Sequence, residues 1–484
     1  MLWPLFIIYM KESYTLYFLF LISFVSISQN QLPLLNGSSI AQEKSARPNF
    51  IFYLADDQDQ LDYGAYGNPK VYTPALDRLA LEGMKFNNFY TSQSICAPSR
   101  SQIFTGLYPV KNGCMANHLP VKKDLKTVID YLGAEGYEVV LAGKSHVKPN
   151  SVFKWTQYFG SVNHRYLPLE AIDTYLSNVN KPFCLFVTSD YPHGPYPKEG
   201  DYTKNDIYSL PYNGSNVPNF KSGYYQNIKS DNTQLEAVLE MVNSYGLKKN
   251  SVFVYASDHG ISGKWGVSEQ GLRIPFVVRW PGVVKPGSTS QTLLSLVDIL
   301  PTFLDIISAE IPKNIDGKSF YNTLRGDESK VNDYIFSLAT RQNIQSCKIF
   351  PTRAVRGIRY KFIRNYNSLE VYESNLGTNT VVNSFIKIGA ESFPNVPYEE
   401  LYDLKIDPYQ KNNLIKSHQH KNIKDQLSDV LYKWMLSQND ILISNKMPLI
   451  KPTLHPLDRN SKWNKVSTEN LHALKAENYI KSHY

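Results

Sequence analysis

The sequence predicts an α/β fold in which a mostly parallel sheet is covered by helices on both faces. Short apolar runs alternate with segments of helical periodicity between residues 49 and 256, which is the pattern of such a sheet. The chain has 484 residues, 42% of them hydrophobic, so it can bury a large core as one big domain or as two unequal ones. This is not the composition of a disordered chain.

The first predicted strand and helix lie between residues 49 and 83. The run NFIFYL, residues 49–54, predicts a buried strand that is followed closely by two acids. Thr73 is placed to cap a helix that has Pro74 in its first turn, and Gly83 is placed to end it.

The later elements continue the alternation. Helices are predicted around residues 125–132 and 235–242, and each is followed by a glycine that ends it. Three further apolar runs predict strands: YEVVLAG (137–143), FCLFV (183–187) and SVFVYA (251–256).

The N-terminus predicts a signal peptide over residues 1–30. From an internal start at Met10, the basic Lys11 precedes an apolar run at 16–25 and then small and polar residues. That run is short for a bilayer span, and a membrane anchor that includes residues 2–9 is the alternative. No other segment of the sequence is apolar enough to cross a membrane, so we expect a periplasmic or secreted protein with no stable membrane span after cleavage.

The net charge of +8 bears on the kind of partner. Loss of residues 1–30 removes one lysine and one glutamate, so the charge stays at +8. The field of an exported protein with this excess raises the local concentration of an anionic substrate. No block of lysines and arginines and no basic helix stands out, so nucleic acid is not an expected partner.

The four cysteines exclude two kinds of site. Cys96, Cys114, Cys184 and Cys347 follow no CxxC spacing, so neither a zinc cluster nor a dithiol redox centre is indicated. Cys184 lies in an apolar run and is expected to be a buried, inert thiol. A bridge between Cys96 and Cys114 stays open as an alternative.

Acids, histidines and a lysine follow four of the predicted strands. Because the carboxyl ends of parallel strands meet at one edge of a sheet, these side chains are expected to gather in one crevice. Each alone could cap a turn or be solvated, but the common location favours a shared site. The residues are Asp56, Asp57, Lys144, His146, His193, Asp258 and His259.

The residue types indicate the chemistry of this crevice. Three carboxylates with a histidine suit a hard divalent cation, which favours calcium or magnesium over zinc. A cation beside histidines and lysines forms a pocket for an anionic group whose charge must be neutralised as a bond breaks. The set therefore predicts transfer or hydrolysis of phosphate or sulfate esters.

Cys96 lies in the stretch CAPSRSQIFTG, whose residues after Pro98 predict the start of a helix. At a helix N-terminus the dipole and the free N–H groups stabilise negative charge, so a thiolate there is reactive. Arg100, one turn further on, keeps its proton and can hold an oxyanion or a metal ligand in place.

The stretch CAPSRSQIFTG resembles the signature of the type I sulfatases, in which a separate enzyme oxidises the cysteine to formylglycine. The match covers about residues 47–440 and consists of blocks in the order of that family. Besides the signature the similar blocks are ADDQ (55–58), YTPALDRLALEGMKFNNFYT (72–91), GKSH (143–146), SDHG (257–260), RIPFVVRWPG (273–282), VDILPTFLDI (297–306) and ELYDLKIDPYQKNNL (400–414).

The resemblance implies an alkaline-phosphatase-like α/β/α sandwich in two parts. Residues 47–340 would form the N-terminal catalytic domain, and residues 341–484 a smaller C-terminal α+β subdomain. AVRGIRYKFIRNY (354–366) would belong to a short antiparallel sheet of the second part. A closing helix would present an apolar face made of Ile423, Leu427, Val430, Leu431 and Trp434.

The resemblance also implies a metal site and a nucleophile. Calcium, with magnesium as the alternative, would be bound by Asp56, Asp57, Asp258 and His259 together with residue 96. Cys96, converted to formylglycine (3-oxoalanine) by a formylglycine-generating or sulfatase-maturing enzyme, would hydrate to a diol. One hydroxyl of the diol would attack sulfur in line with the leaving alcohol.

Five further residues receive roles from the resemblance. His146 would help deprotonate the remaining hydroxyl so that sulfate is expelled. Lys144 would bind the sulfate group, Arg100 would orient the formylglycine, and His193 would contact or protonate the leaving oxygen. Lys264 would be the second sulfate-binding lysine, although only four residues separate Gly260 from Trp265, where the family often has a longer stretch.

The predicted substrate is a sulfated polysaccharide or its oligosaccharides. Export, positive charge and a tyrosine-rich stretch near residues 191–225 suit such a polymer, since aromatic faces stack on sugar rings. An algal polymer such as ulvan, carrageenan or fucoidan is favoured over a glycosaminoglycan or its N-sulfated glucosamine. The remaining alternatives are a phosphate or phosphonate ester hydrolase and an inactive glycan-binding protein.

Overall fold

The computed structural model describes residues 47–208, 218–339, 352–366 and 397–444, and the backbone of two short strands at 446–447 and 480–481. The predicted signal peptide lies outside the described residues, and so does Cys347. Within the described ranges, no helix combines the length and the apolar character that a membrane span requires.

The strands form one large sheet, one four-stranded sheet and two short pairs. In chain order they are β1 (Asn49–Asp56), β2 (Met84–Phe86), β3 (Phe89–Tyr90), β4 (Glu138–Gly143), β5 (Gln157–Phe159), β6 (Phe183–Pro192), β7 (Ser251–Ser257), β8 (Phe276–Arg279), β9 (Ser288–Ser290), β10 (Leu294–Ser295), β11 (Ile335–Ala339), β12 (Thr352–Arg356), β13 (Tyr360–Asn365), β14 (Glu399–Asp403), β15 (Lys446–Met447) and β16 (Ile480–Lys481).

Ten α-helices lie in the described ranges. They are α1 (Pro74–Glu82), α2 (Cys96–Thr105), α3 (Pro109–Asn112), α4 (Val128–Ala134), α5 (Leu169–Asn178), α6 (Lys221–Ser244), α7 (Glu269–Leu272), α8 (Ile299–Ile306), α9 (Tyr321–Leu324) and α10 (Lys421–Ser437).

The large sheet has the order β5-β4-β6-β1-β7-β8-β2-β9. The five strands from β5 to β7 are all parallel to one another, whereas β8 runs antiparallel to β7 and β2 antiparallel to β8. The predicted mostly parallel sheet is therefore confirmed.

The side chains of β1 alternate between two buried cores, one on each face of the sheet. Phe50, Phe52 and Leu54 pack into the core that contains residues of α2, α4 and α8. Ile51 and Tyr53 pack into the other core, with residues of α1, α5 and α6. Since side chains of a strand point to opposite faces in turn, this alternation makes the sheet the middle layer of a three-layer sandwich.

The predicted helices agree with the structure in position and differ in length. Helix α1 starts at Pro74 after Thr73 and ends before Gly83, as predicted. Helix α6 begins at Lys221, well before the predicted segment at 235–242. Its first half is rich in polar residues, and packing rather than apolar periodicity holds it: Tyr224 and Tyr225 are fully buried there.

The C-terminal part contains the antiparallel sheet β11-β12-β13-β14, and α10 packs on it. The predicted strands within residues 354–366 and the predicted apolar face of α10 are both present; Leu427, Leu431 and Trp434 are buried. Strand β11 precedes the boundary at 340/341, so this division into domains stays a prediction.

The described cysteines are free thiols. Cys96, Cys114 and Cys184 form no disulfide, so the bridge between Cys96 and Cys114 is absent. Cys184 is fully buried in β6, where burial raises the pKa of its thiol, as expected for an inert cysteine.

Candidate active site

The predicted site residues follow four neighbouring parallel strands and meet at one edge of the large sheet. Asp56 ends β1, and Asp57 comes directly after it in the left-handed backbone region, with a φ of 67°. Lys144 and His146 follow β4, His193 follows β6, and Asp258 and His259 follow β7. These four strands are neighbours in the sheet, in the order β4-β6-β1-β7, so their carboxyl ends lie side by side.

Four side chains place potential ligand atoms around one point. Asp56, Asp57, Cys96 and His259 each offer an atom, and these four atoms lie within 4.8 Å of one another. All four residues are buried. Two of the four atoms are carboxylate oxygens, the ligand type that a hard divalent cation prefers.

Asp258 lies beside these four atoms rather than among them. Its Oδ1 accepts the backbone N–H groups of Asp57, at 3.1 Å, and of His259, at 2.9 Å. Its Oδ2 accepts from Nε of Arg100, at 3.2 Å. The fifth predicted metal ligand therefore also ties three of the other site residues together.

Arg100 is fully buried and contacts three residues of the site. Besides its bond to Asp258, its Nη2 lies 3.5 Å from Oδ2 of Asp56, and its Nη1 donates to the carbonyl oxygen of Lys144, at 2.8 Å. Because a guanidinium cannot lose its proton, Arg100 lowers the pKa of both acids, although burial and the charge of Asp56 still raise the pKa of Asp258 to about 7. Arg100 also fixes the start of the Lys144 loop.

Two lysines contact different carboxylates of the site. Nζ of Lys144 contacts the Asp56 carboxylate and lies 2.7 Å from Oδ1 of Asp190. Nζ of Lys264 lies 2.8 Å from both oxygens of Asp57. Lys264 therefore lies in the site despite the short stretch before Trp265.

The histidines occupy different places around this cluster. Nε2 of His259 lies 3.2 Å from Oδ1 of Asp57 and 3.4 Å from Sγ of Cys96. Nε2 of His193 lies 3.7 Å from Oδ2 of Asp57, and its Nδ1 is 2.7 Å from the carbonyl oxygen of Gly194. Since a carbonyl only accepts, Nδ1 of His193 carries a proton and Nε2 faces the acids.

The charges of the site shift its pKa values in directions that follow from this geometry. Burial alone would raise the pKa of the Asp56 carboxyl, but Lys144 and Arg100 hold it well below its ordinary value. Burial lowers the pKa of His146 to about 3, and the charges of Lys144 and Arg100 add to this effect. Asp56 is therefore ionised and His146 is neutral at neutral pH.

Cys96 is the first residue of α2, as predicted, and it is 2% exposed. Burial and Asp56 would raise the pKa of its thiol, but Lys264 and His259 hold that pKa below the ordinary value. A helix N-terminus and these two cationic neighbours favour an anionic or electron-rich group at position 96.

Two contacting residues escaped the sequence analysis. Asp190, which pairs with Lys144, lies in β6 just before His193, so the strand-end pattern could have found it. His118, whose Nδ1 lies 2.9 Å from Nε2 of His146, belongs to a loop after α3 that follows no strand. No sequence signal marks it.

The residues present fit a calcium ion. Oδ1 of Asp56 is buried, and it has no hydrogen-bond partner among the residues that the structure describes. An orphaned carboxylate oxygen is costly in a protein interior and is a ready ligand for a hard cation.

Comparison with known proteins agrees with this site. The family model described as "Sulfatase" matches residues 48–309, and the model described as "N-sulphoglucosamine sulphohydrolase, C-terminal" matches residues 257–376. An "Ulvan-active sulfatase" of Formosa agariphila is 47% identical over 462 residues, which cover 92% of this chain and 92% of that protein.

Two solved structures share the fold. A putative sulfatase of Bacteroides fragilis superposes with a TM-score of 0.67 at 20% identity, covering 84% of this chain and 98% of that one. The phosphonate monoester hydrolase of Agrobacterium radiobacter superposes with a TM-score of 0.62 at 16% identity, covering 83% and 98%. The fold alone therefore does not distinguish a sulfatase from a phosphonate ester hydrolase. The family model and the relative of 47% identity are both sulfatases. The chain belongs to the sulfatase family and is a sulfuric ester hydrolase.

Proposed function

We propose that this protein is an exported ulvan sulfatase that depends on formylglycine at position 96 and on calcium. The observation that carries the proposal is the 47% identity, over 92% of both chains, to an ulvan-active sulfatase. Identity at this level over most of both chains extends well beyond the signature around Cys96.

Calcium would be held by the carboxylates of Asp56 and Asp57 and by His259 and residue 96, with Asp258 beside them. When bound, the cation supplies positive charge that offsets the charge growing on the sulfate group as the ester bond breaks. The orphaned Oδ1 of Asp56 supports this assignment.

Residue 96 would act as the nucleophile after a maturing enzyme has oxidised its thiol to the aldehyde of formylglycine. The site suits an oxygen nucleophile here because the start of α2 and Lys264 both stabilise negative charge at this position. Arg100 keeps the adjacent acids in place, since it binds Asp258 directly and lies 3.5 Å from Asp56.

The sulfate group would lie between the two lysines. Nζ of Lys144 contacts the Asp56 carboxylate and Nζ of Lys264 contacts that of Asp57, and the two lysine side chains are 18% and 14% exposed. Cations in such a dry pocket neutralise an anion far more strongly than they would in water.

The leaving sugar oxygen would be protonated by His193. The bond between Nδ1 of His193 and the Gly194 carbonyl fixes the ring and leaves Nε2 toward the acids. Arg165 and Asn227 both donate to the carbonyl oxygen of His193, so its backbone is also held. This ring is partly exposed, as a group at the mouth of a pocket must be.

Export is part of the proposal because a polymer cannot enter the cell intact. The order of charged, apolar and small residues at the N-terminus supports a signal peptide, and the net charge of +8 suits a polyanionic substrate. A second candidate function is hydrolysis of N-sulfated glucosamine, which the family match at residues 257–376 favours.

Sulfate release from defined oligosaccharides tests the proposal. The full-length protein, produced together with a maturing enzyme, would be incubated with ulvan, carrageenan, fucoidan and N-sulfated heparan oligosaccharides, and free sulfate would be measured by ion chromatography. We expect release from ulvan. Release from the heparan substrate alone would establish the second candidate instead, and hydrolysis of phosphonate esters alone would overturn both.

Mass spectrometry of the peptide that contains residue 96 tests the modification. Conversion to the aldehyde replaces sulfur with oxygen and removes two hydrogens, which lowers the mass of the peptide and distinguishes it from serine. A Cys96→Ala variant supplies the inactive control. An active protein whose residue 96 is entirely a thiol would contradict the mechanism.

A further inference from the structure

Lys264 lies on the short loop after β7, and hydrogen bonds hold this loop on both sides of the lysine. Two residues before Lys264, the backbone N–H of Ser262 donates to Oδ1 of Asp59, at 3.0 Å, and the hydroxyl of Ser262 donates to Oδ2. One residue after Lys264, the N–H of Trp265 donates to the carbonyl oxygen of Ser94, at 2.9 Å. The backbone at Lys264 is therefore fixed by two residues from other parts of the chain.

The carboxylate of Asp59 is itself held in one position. Nζ of Lys221 lies 3.2 Å from Oδ2 of Asp59 and 2.6 Å from Oδ2 of Asp62. The hydroxyl of Tyr224 accepts from the N–H of Asp59, at 3.0 Å, and donates to the carbonyl oxygen of Asp57, at 3.2 Å. Asp59 is 3% exposed and Lys221 is 1% exposed, so water does little to weaken their ion pair.

The loop also packs directly against this carboxylate. A Cβ atom at Gly260 would lie 2.7 Å from Oδ1 of Asp59 and 2.0 Å from the carbonyl oxygen of Gln270, so only a glycine fits there. Because Asp59 touches the loop at Gly260 and at Ser262, a change in its carboxylate moves the backbone that carries Lys264.

The carboxylate of Asp59 does not touch the reacting groups itself. Asp59 is not one of the four residues whose ligand atoms lie within 4.8 Å of one another. Its oxygens accept from Ser262 and Lys221 instead. Nζ of Lys264, by contrast, lies 2.8 Å from both oxygens of Asp57. An effect of the Asp59 carboxylate on the reaction therefore passes through Ser262 to Lys264.

We propose that Asp59 is a positioning residue whose carboxylate, held by Lys221, fixes Ser262 and so aims the ammonium of Lys264 at the bound sulfate group. A lysine side chain has four rotatable bonds, so its backbone must be held if its charge is to be preorganised. The inference rests on the sulfate-binding role proposed above for Lys264. It explains how a loop of only four residues between Gly260 and Trp265 still delivers that lysine.

Binding of inorganic sulfate, the product of the reaction, tests the inference in a double-mutant cycle. The full-length, matured protein with calcium would be titrated with sulfate in a calorimeter. Lys264→Ala should raise the Kd for sulfate about 10-fold or more, because a charged hydrogen bond is lost. Asp59→Asn should raise it about 5-fold, but by less than about 2-fold when Lys264→Ala is already present.

A purely structural role would give a different pattern. Asp59→Asn would then raise the Kd by the same factor with and without Lys264→Ala, and this result would overturn the proposal. An unchanged Kd in Asp59→Asn would also overturn it. Sulfate binding that Lys264→Ala does not weaken would remove the role of Lys264 on which the inference rests. Ulvan takes no part in this measurement, so the ulvan assignment can fail while the inference stands.

Two further variants separate positioning from loss of folding. Ser262→Ala removes only the hydroxyl donor to Asp59, so it should fold and should raise the Kd in the same direction by a smaller factor. Glu269→Gln is the matched control, since it also removes the charge of a buried acid that pairs with a lysine. It should lower the melting temperature and leave the Kd for sulfate unchanged. An equal rise of Kd in Glu269→Gln would show that general loosening is the cause and would refute the role of Asp59.

Discussion

Two of the clusters of buried charge among the described residues differ in how completely their polar atoms are hydrogen-bonded. In the first, which we call the Glu269 cluster, Glu269 accepts hydrogen bonds from Tyr90, Lys361 and Arg356 at 2.9 to 3.3 Å. Nζ of Lys361 also donates to the carbonyl oxygen of Val267. Every side-chain polar atom of these four residues that is buried has a partner.

The active site is buried to a similar degree, yet it keeps atoms without partners. Oδ1 of Asp56, Nη2 of Arg100 and Nδ1 of His146 are buried and have no hydrogen-bond partner among the described residues. Buried polar groups are nearly always hydrogen-bonded. The Glu269 cluster, which is complete in this sense, therefore has the pattern of a structural element, whereas the incomplete cluster of the active site has the pattern of a ligand-binding site.

The largest expected effect is on activity and comes from the incomplete cluster. Cys96→Ala removes the nucleophile, so sulfate release should fall on the order of 10⁴-fold or more, while the melting temperature changes little. Cys184→Ala is the matched control, since it also deletes a buried thiol but far from the site. It should lower stability and leave kcat unchanged. Comparable activity in Cys96→Ala and the wild type would be incompatible with our account.

The next effect is on stability and comes from the complete cluster. Glu269→Gln leaves the buried cations of Arg356 and Lys361 without their anion, which should lower the free energy of unfolding by about 3–5 kcal/mol. Urea denaturation measures this loss. The folded variant should keep the wild-type kcat. A neutral effect on unfolding would mean that the cluster is not structural.

The same glutamate predicts an acid sensitivity. Burial would raise the pKa of Glu269, but Arg356 and Lys361 lower it to about 2, below the value of about 4.3 in an unfolded chain. Because the folded pKa is lower, its contribution of roughly 3 kcal/mol is present above pH 4.3 and is lost as pH falls toward 2. The stability difference between wild type and Glu269→Gln should therefore shrink over this range in denaturation curves recorded at stepwise pH.

The smallest effect expected is stabilisation by the cation. Calcium at 100 times its dissociation constant should add about 2.7 kcal/mol to the stability of the wild type, because it binds only the folded site. Asp56→Asn, which loses the orphaned carboxylate oxygen, should not respond, while Glu269→Gln should respond like the wild type. Thermal melting with and without chelator makes this comparison, and an equal calcium response in Asp56→Asn would exclude the proposed ligand set.

The sequence predicts much of this site because of one geometrical rule. Asp56, Lys144, His193 and Asp258 follow parallel strands, whose carboxyl ends share an edge, so their proximity could be inferred without coordinates. The sulfatase resemblance then supplied roles that position alone could not. Lys264 lies in the site although its spacing departs from the common pattern.

Other features depend on tertiary packing, and the local sequence pattern does not predict them. His118 reaches His146 from a loop, and no periodicity marks a loop residue. The first half of α6 is stabilised by burial of tyrosines rather than by an apolar stripe. The orphaned Oδ1 of Asp56 is likewise visible only once the partners of every neighbouring group are known.

The central claim is that the unpaired atoms of the active site are completed by calcium and a sulfate ester of ulvan. It is tested most directly by ion chromatography of sulfate released from ulvan oligosaccharides by the matured full-length protein, with calcium present and after its removal by a chelator. Our account predicts release that stops on chelation and returns when calcium is restored. Undiminished release from a calcium-free protein, or no release by a protein whose residue 96 is formylglycine, would contradict it.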